Sequence, residues 1–237
     1  MQELYELAPL GHLRSPYHEK FGIPRQSGLA PAATATLTLR PDLGPDSVRD
    51  LATFSHLWLT FIFHQVAEQD TRLLVRPPRL GGNEKTGVFA TRSPFRPNRL
   101  GLSLVELLAI DTASGRVTLT LGGIDLLDGT PVLDLKPYLP FAEALPHARA
   151  GFATESPPAK ALVIASDCQA AFDALPAPLR ALISQTLALD PRPAYHRDPV
   201  RSYTCALAGH QITFRADEQH VTLSAIEKDI AQAPEKA

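Results

Sequence analysis

Residues 87–107, GVFATRSPFRPNRLGLSLVEL, place Arg92, Arg96 and Arg99 in a loop that also holds Pro94 and Pro97. Proline fixes φ and removes a backbone donor, so this loop is stiff and of little use for sheet pairing. Planar guanidinium forks on a stiff loop suit a phosphate, a carboxylate or a stacked base. A solvated connection between strands would be polar too, so the loop needs support from its surroundings. From Arg72 to Arg99 the basic residues are Arg72, Arg76, Arg79, Lys85, Arg92, Arg96 and Arg99, against the single acid Glu84. The 237-residue chain has a formal net charge of −2. Its basic character is therefore a matter of distribution, not of total.

Further polar clusters fall where strands end. Pro24-Arg-Gln-Ser-Gly28 combines an amide that both donates and accepts, Gln26, with Ser27 and a glycine that permits close backbone approach. His64-Gln65 closes the apolar run HLWLTFIFH. Asp125-Leu-Leu-Asp-Gly-Thr-Pro131 is a turn with two carboxylates, Asp125 and Asp128, around Leu126 and Leu127. Asp134-Leu-Lys-Pro-Tyr138 adds Lys136 and Tyr138, and Asp190-Pro-Arg-Pro-Ala-Tyr195 sets Arg192 and Tyr195 between prolines. Aromatics beside arginines can stack on bases while the cations meet phosphates.

Several chemistries are disfavoured. No GxGxxG opens a helix, and GxxxxGK[ST], HExxH and GxSxG are missing. The histidines are scattered, and Cys168 and Cys205 form no metal-ligand spacing, so no metal is expected. Residues MQELYELAPLGHL lack a basic stretch followed by an apolar core. No run approaches the roughly 20 apolar residues of a spanning helix. A soluble cytoplasmic protein with no membrane partner is expected.

The elements that must position these clusters are mostly strands. Alternation or β-branched content marks strands at 33–40, 56–64, 73–76, 87–91, 101–110, 116–121, 124–127 and 131–135. The aromatic run 56–64 reads as buried on both faces or nearly so. One short helix is expected from Pro45 or Asp46 to before Ser55. Many short strands with Gly/Pro turns point to a mainly β fold, an antiparallel β-barrel. The Ala/Pro/Gly/Ser-rich stretch 146–160 reads as a linker between a barrel domain, 1–145, and a small α+β domain, 161–237. That second unit should hold a strand at 162–165, a helix from 166 or 167 to about 175, a helix over 179–187 with i, i+3, i+4, i+7 spacing, and strands at 200–208, 211–216 and 220–227.

Taken in order, LRSPYHEKFGIPRQSGL (13–29), FSHLWLTFIFHQ (54–65), RPPRLGGN (76–83), GVFATRSPFRPNRLGLSLVEL (87–107), DLLDGTPVLDLKPYLPFAE (125–143) and DPRPAY (190–195) resemble the TsaA-like family. The resemblance is dense over residues 7–143. It implies a non-Rossmann β-barrel methyltransferase with a small C-terminal domain that works as a homodimer. The implied reaction uses S-adenosylmethionine to N6-methylate threonylcarbamoyladenosine at position 37, beside the anticodon, in tRNA of the threonine type. By motif, the cofactor positions are Gln26, Ser27, Gly28, His64, Gln65, Arg92, Leu102, Asp125, Leu126, Leu127 and Asp128. Contacts to the tRNA anticodon arm are implied for Arg96, Asn98, Lys136, Tyr138, Arg192 and Tyr195. Two residues depart from the family pattern. Arg99 stands where a second proline is common, which is expected to loosen the loop and add a phosphate contact, and Ser27 stands where many members have proline.

The residue types suit that chemistry. Methyl transfer from a sulfonium needs an aligned nucleophile and no acid for its neutral leaving group, so orientation supplies much of the rate. A urea-like acceptor nitrogen reacts better as its proton departs, and Asp128 or His64 could take it. The threonyl carboxylate suits Arg or Lys. All cofactor clusters precede Pro131, so the C-terminal unit is expected to serve tRNA. Two other readings are methylation of a small molecule and a non-catalytic RNA-binding module.

Overall fold

The computed structural model describes residues 3–113, 115–193, 196 and 198–229. Along the chain come β1 (Gly11–Arg14), β2 (Thr34–Leu39), β3 (His56–Ile62), β4 (Leu74–Val75), β5 (Thr86–Gly87), β6 (Leu100–Asp111), β7 (Thr118–Gly122) and β8 (Pro131–Pro137). Six of these close into a barrel in the order β1-β2-β7-β6-β3-β8. Every pairing in it is antiparallel, and Gly11 of β1 faces both Leu39 of β2 and Val132 of β8. Closure at the β1–β8 seam rests on two pairs, Gly11 with Val132 and His12 with Pro131.

The interior is filled from one face of each strand, as period-two alternation requires. Leu13, Leu37, Leu57, Leu59, Leu119 and Leu121 are fully buried there. Strand β3 therefore differs from the expected two-sided burial. Leu57, Leu59 and Phe61 point inward, while Trp58, Thr60 and Ile62 are half-buried on the outside. That outer face stays apolar across β6, where Leu100, Leu102 and Leu108 are 37%, 53% and 47% exposed.

Three other expectations are revised. The helix at 45–55 is two 3-10 turns, Pro45–Val48 and Leu51–Thr53, separated at Asp50, whose φ of 64° cannot continue a helix. The strand at 87–91 ends at Gly87 and becomes a 3-10 turn, Val88–Ala90. The strand at 124–127 is a loop, its backbone satisfied from elsewhere: Ile124 N–H donates to the Ala33 carbonyl (3.1 Å), and the Ser15 hydroxyl donates to the Leu126 carbonyl (2.6 Å).

After α1 (Pro140–Glu143), the chain crosses to a unit of β9 (Ala161–Ile164), α2 (Gln169–Asp173), α3 (Ala177–Ala188), β10 (Tyr203–Leu207), β11 (His210–Ala216) and β12 (His220–Lys228). Its sheet runs β10-β11-β12-β9, with β9 parallel to β12. Leu182, Ile183, Thr186 and Leu187 seat one face of α3. The core of this unit also contains Tyr17, Ala30 and Ala33, from the connection between β1 and β2. In packing terms, that connection belongs to both halves of the molecule.

Candidate functional site

A cleft of about 910 Å³ opens beside the β3–β6 pair, where β3 ends and β6 begins. Its walls come from four segments distant in sequence: the β1–β2 connection (Lys20 to Gln26), the end of β3 (Thr60 to Val66), the Arg/Pro loop (Phe89 to Leu102) and the loop at Asp125 to Leu127. Phe61 and Phe63 meet edge-to-face at 5.1 Å. Phe61 lies across Gly101, its partner on β6, so closely that a Cβ on Gly101 would sit 2.2 Å from the ring. Only glycine lets the aromatic ring cover this position.

Polar groups converge at one side. The Arg92 Nη1 donates to Gln26 Oε1 (2.5 Å), which joins the Arg/Pro loop to the β1–β2 connection. Ser103, on an inward position of β6, donates to Asp125 Oδ1 (2.7 Å). Burial pushes the Asp125 carboxyl up to about 6; hydrogen bonds from Ser103 and from the backbone at Asp125 and Ser27, with the charge of Arg92, oppose the rise. At pH 7 the group is thus mostly an anion, half-buried on the cleft wall. The glycines of the two loops meet beside it. Gly28 N–H donates to the Gly123 carbonyl (2.8 Å), both residues have positive φ, and a Cβ on Gly123 would press on the Gly28 backbone at 3.2 Å.

His64 lines the cleft at the end of β3. Burial, then the neighbouring His12 and Lys20, push its pKa down, against an opposing pull from Asp128. It is therefore neutral at pH 7, with a lone pair available. Asp128 does not line the cleft. Its Oδ1 accepts the Ser15 N–H (2.8 Å), and its Oδ2 lies 3.7 Å from His18 Nδ1. Among the described residues no cluster of His, Cys, Asp or Glu could hold a metal ion, and no helix is long and apolar enough to cross a membrane.

The sequence profile of the tRNA-methyltransferase O N-terminal domain matches residues 12–144, and that of the TrmO C-terminal domain matches residues 160–229. The chain belongs to the tRNA-methyltransferase O family. It is 46% identical over 217 residues to the tRNA (adenine(37)-N6)-methyltransferase of Escherichia coli strain K12, covering 89% of this chain and 92% of that one. Identity to the protein of the same name from Eikenella corrodens is 53% over 174 residues, 73% of this chain and 97% of that one. The crystal structure of TrmO from P. aeruginosa superposes with a TM-score of 0.79 at 36% identity, covering 96% of this chain and 99% of that one.

With the family established, the residues picked by motif fall into three groups. Gln26, His64, Gln65, Arg92, Arg96, Leu102, Asp125, Leu126 and Leu127 all line the cleft. Ser27 and Gly28 line a smaller pocket of about 320 Å³, shared with His56, Glu106 and Gly123. Outside both stand Asn98, exposed at φ 63°, and Lys136, which pairs with Trp58, two residues beyond cleft-lining Thr60. Tyr138 packs edge-on against Trp58 at 6.2 Å. Tyr195 lies outside the described residues.

Two expectations are corrected here. Arg192 is 7% exposed; its Nε and Nη2 grip Asp190 (2.8 and 2.9 Å) and it donates to the carbonyls of Ala216 and Asp217. A guanidinium so engaged braces its own loop. Arg99 does not loosen the Arg/Pro loop. Its φ is 53°, which proline cannot adopt, and its Nη1 donates to the Val66 carbonyl (2.9 Å), tying the loop to the end of β3. Lys20, Arg25, Phe89 and Ser103 also line the cleft and were not picked out from sequence. Ser103 had a signal: it is the polar residue at an inward position of LGLSLVEL.

Proposed function

We propose that this chain is an S-adenosylmethionine-dependent methyltransferase that modifies N6 of adenosine 37 in tRNA, and that its acceptor carries the threonylcarbamoyl group. The observation that carries this reading is the cleft itself, in which the half-buried Asp125 anion and the Arg92–Gln26 pair face aliphatic and aromatic walls within a barrel of this family. The volume lies within the range of small-molecule and cofactor sites. The residues fit the cofactor: an anion suits its cationic centres, Arg92 suits a carboxylate, and Phe61, Phe63 and Leu102 suit an adenine ring and thioether. The cofactor supplies an activated methyl on a sulfonium.

The protein's part is positioning and proton removal. His64 is favoured over Asp128 as the base because it lines the cleft and is held neutral, whereas Asp128 is engaged with Ser15 and His18. Taking the N6 proton as the methyl arrives restores lone-pair density on the urea-like nitrogen. Lys20, Arg25, Arg92 and Arg96 line the cleft and make it attractive to the threonyl carboxylate and to the phosphates of the anticodon arm. Outside the cleft, Trp58 and the 47%-exposed Leu108 leave apolar surface on the barrel that supports a homodimer. Modification of tRNA supports a cytoplasmic location. The test is nucleoside mass spectrometry of tRNA incubated with protein and cofactor: one added methyl on threonylcarbamoyladenosine supports the reading, and an unchanged nucleoside pool refutes it.

A further inference from the structure

The β1–β2 connection, residues 15–33, is the only cleft wall that is also built into the core of the C-terminal unit among the described residues. One side of it holds the cofactor loops. Asp128 N–H donates to the Tyr17 carbonyl (2.8 Å), the Ser15 hydroxyl to Leu126, Gly28 N–H to Gly123, and Gln26 accepts from Arg92. The other side is gripped by the C-terminal unit. Ala32 N–H donates to the Gln185 side chain of α3 (2.7 Å), and Ala206 N–H of β10 donates to the Glu19 carboxylate (2.7 Å). Ala208 N–H donates to the Pro16 carbonyl (2.8 Å). Tyr17 is 1% exposed, its hydroxyl 3.5 Å from Thr186.

The segment contains no regular strand or helix between β1 and β2. Loops of this length without secondary structure of their own are uncommon in compact domains, and this one is held from both sides. On the C-terminal side the contacts come from α3, from β10 and from Ala208 just after it. We infer that the C-terminal unit sets the affinity for the cofactor, by holding the β1–β2 connection against the Asp125–Asp128 loop, with Gln185 and Glu19 as positioning residues. This rests on the assignment of the cleft to S-adenosylmethionine. It gives the C-terminal unit a task beyond tRNA contact, at positions that touch neither substrate.

The experiment uses the full-length chain and calorimetric titration with S-adenosylmethionine. Gln185→Ala removes the acceptor for Ala32, and Gln185→Glu keeps an oxygen there. Glu19→Ala and Glu19→Gln form the matching pair on the β10 side. Each Ala variant is expected to weaken cofactor binding about threefold to tenfold, the worth of one lost hydrogen bond, and each conservative variant to recover most of it. In Gln185→Ala, KM for the cofactor should rise while kcat at saturating cofactor holds, and hydrogen exchange of amides 24–32 should quicken without a matching change across the barrel strands. Wild-type affinity in both Ala variants overturns the inference, as does loosening spread evenly over the barrel. Arg92→Ala separates the two layers. If it weakens binding and the strut variants do not, the inference falls and the cleft assignment stands. If Arg92→Ala also binds normally, both fall.

Discussion

Replacing Asp125 with Asn should make the protein more stable and a poorer enzyme, and the structure gives the size of the exchange. Burial raises this carboxyl from 3.8 to about 6. Holding it ionised in the folded chain therefore costs about 3 kcal/mol, at about 1.36 kcal/mol per pH unit. The sign follows from proton uptake. Between pH 3.8 and about 6 the folded chain keeps a proton that the unfolded chain has released, so stability falls as pH rises through that window and the penalty is complete above it. About 1.4 kcal/mol of the change falls between pH 5 and 7.5. Asn does not titrate, but its NH2 cannot accept the backbone N–H groups of Asp125 and Ser27, a loss of about 1–2 kcal/mol. The net gain for Asp125→Asn at pH 7.5 is then about 1–2 kcal/mol, or about 2–8 °C in Tm. Urea unfolding of both proteins at pH 5 and pH 7.5 checks this, together with calorimetric titration of the cofactor. The stability difference should move toward the Asn protein by about 1.4 kcal/mol between the two pH values, while cofactor affinity drops by about tenfold or more for loss of a charged partner. A difference independent of pH would show that Asp125 does not carry a buried charge, and the argument for its role would fail.

Gln26→Ala and Arg92→Ala should each weaken S-adenosylmethionine binding by about tenfold, and the double variant by less than the product, because the two side chains bond each other; strict additivity in titration would contradict a shared contact. Gly101→Ala should destabilise the barrel by about 1–3 kcal/mol in urea unfolding, since the new methyl meets the Phe61 ring, and Phe61→Leu should relieve it. Arg192→Ala should cost about 2–4 kcal/mol by leaving Asp190 and two carbonyls short of donors, with Tm falling before any loss of tRNA affinity appears; normal Tm with lost tRNA binding would restore Arg192 to the substrate surface.

The barrel and the C-terminal sheet were legible because their strands alternate and their turns carry Gly, Asp and Pro at the breaks, as at Asp111–Gly115 and Asp217–Gln219. Strand β1 was not, because Gly11–Arg14 is too short to show alternation and its pairing is wholly non-local, to β2 and β8. The sidedness of β3 misled for a different reason. A continuous apolar run looks buried on both faces, yet Trp58 and Ile62 lie on the outside of the barrel. Of the cleft, the residues on three loops could be picked by motif and charge. The role of Arg192 could not: an Arg between two prolines reads the same whether it faces solvent or folds back on Asp190, and the carbonyls of Ala216 and Asp217 that decide it are far along the chain. Arg99 hid its role similarly, since nothing in an arginine announces the positive φ it adopts here. The grip of Gln185 and Glu19 on the β1–β2 connection spans 153 and 187 residues, and no local pattern announces contacts of that kind.

Labelled methyl transfer can be compared between two preparations of one tRNA, identical except for the threonylcarbamoyl group on adenosine 37. The protein should transfer methyl from S-adenosylmethionine to the tRNA carrying the group, with the label recovered on N6 of that nucleoside, and His64→Ala should slow the transfer while leaving cofactor affinity within about threefold, because loss of a general base removes about 10²–10⁴ in rate and little binding. Equal transfer to both tRNAs, or label recovered at any other position, would show that the enzyme does not act on N6 of threonylcarbamoyladenosine.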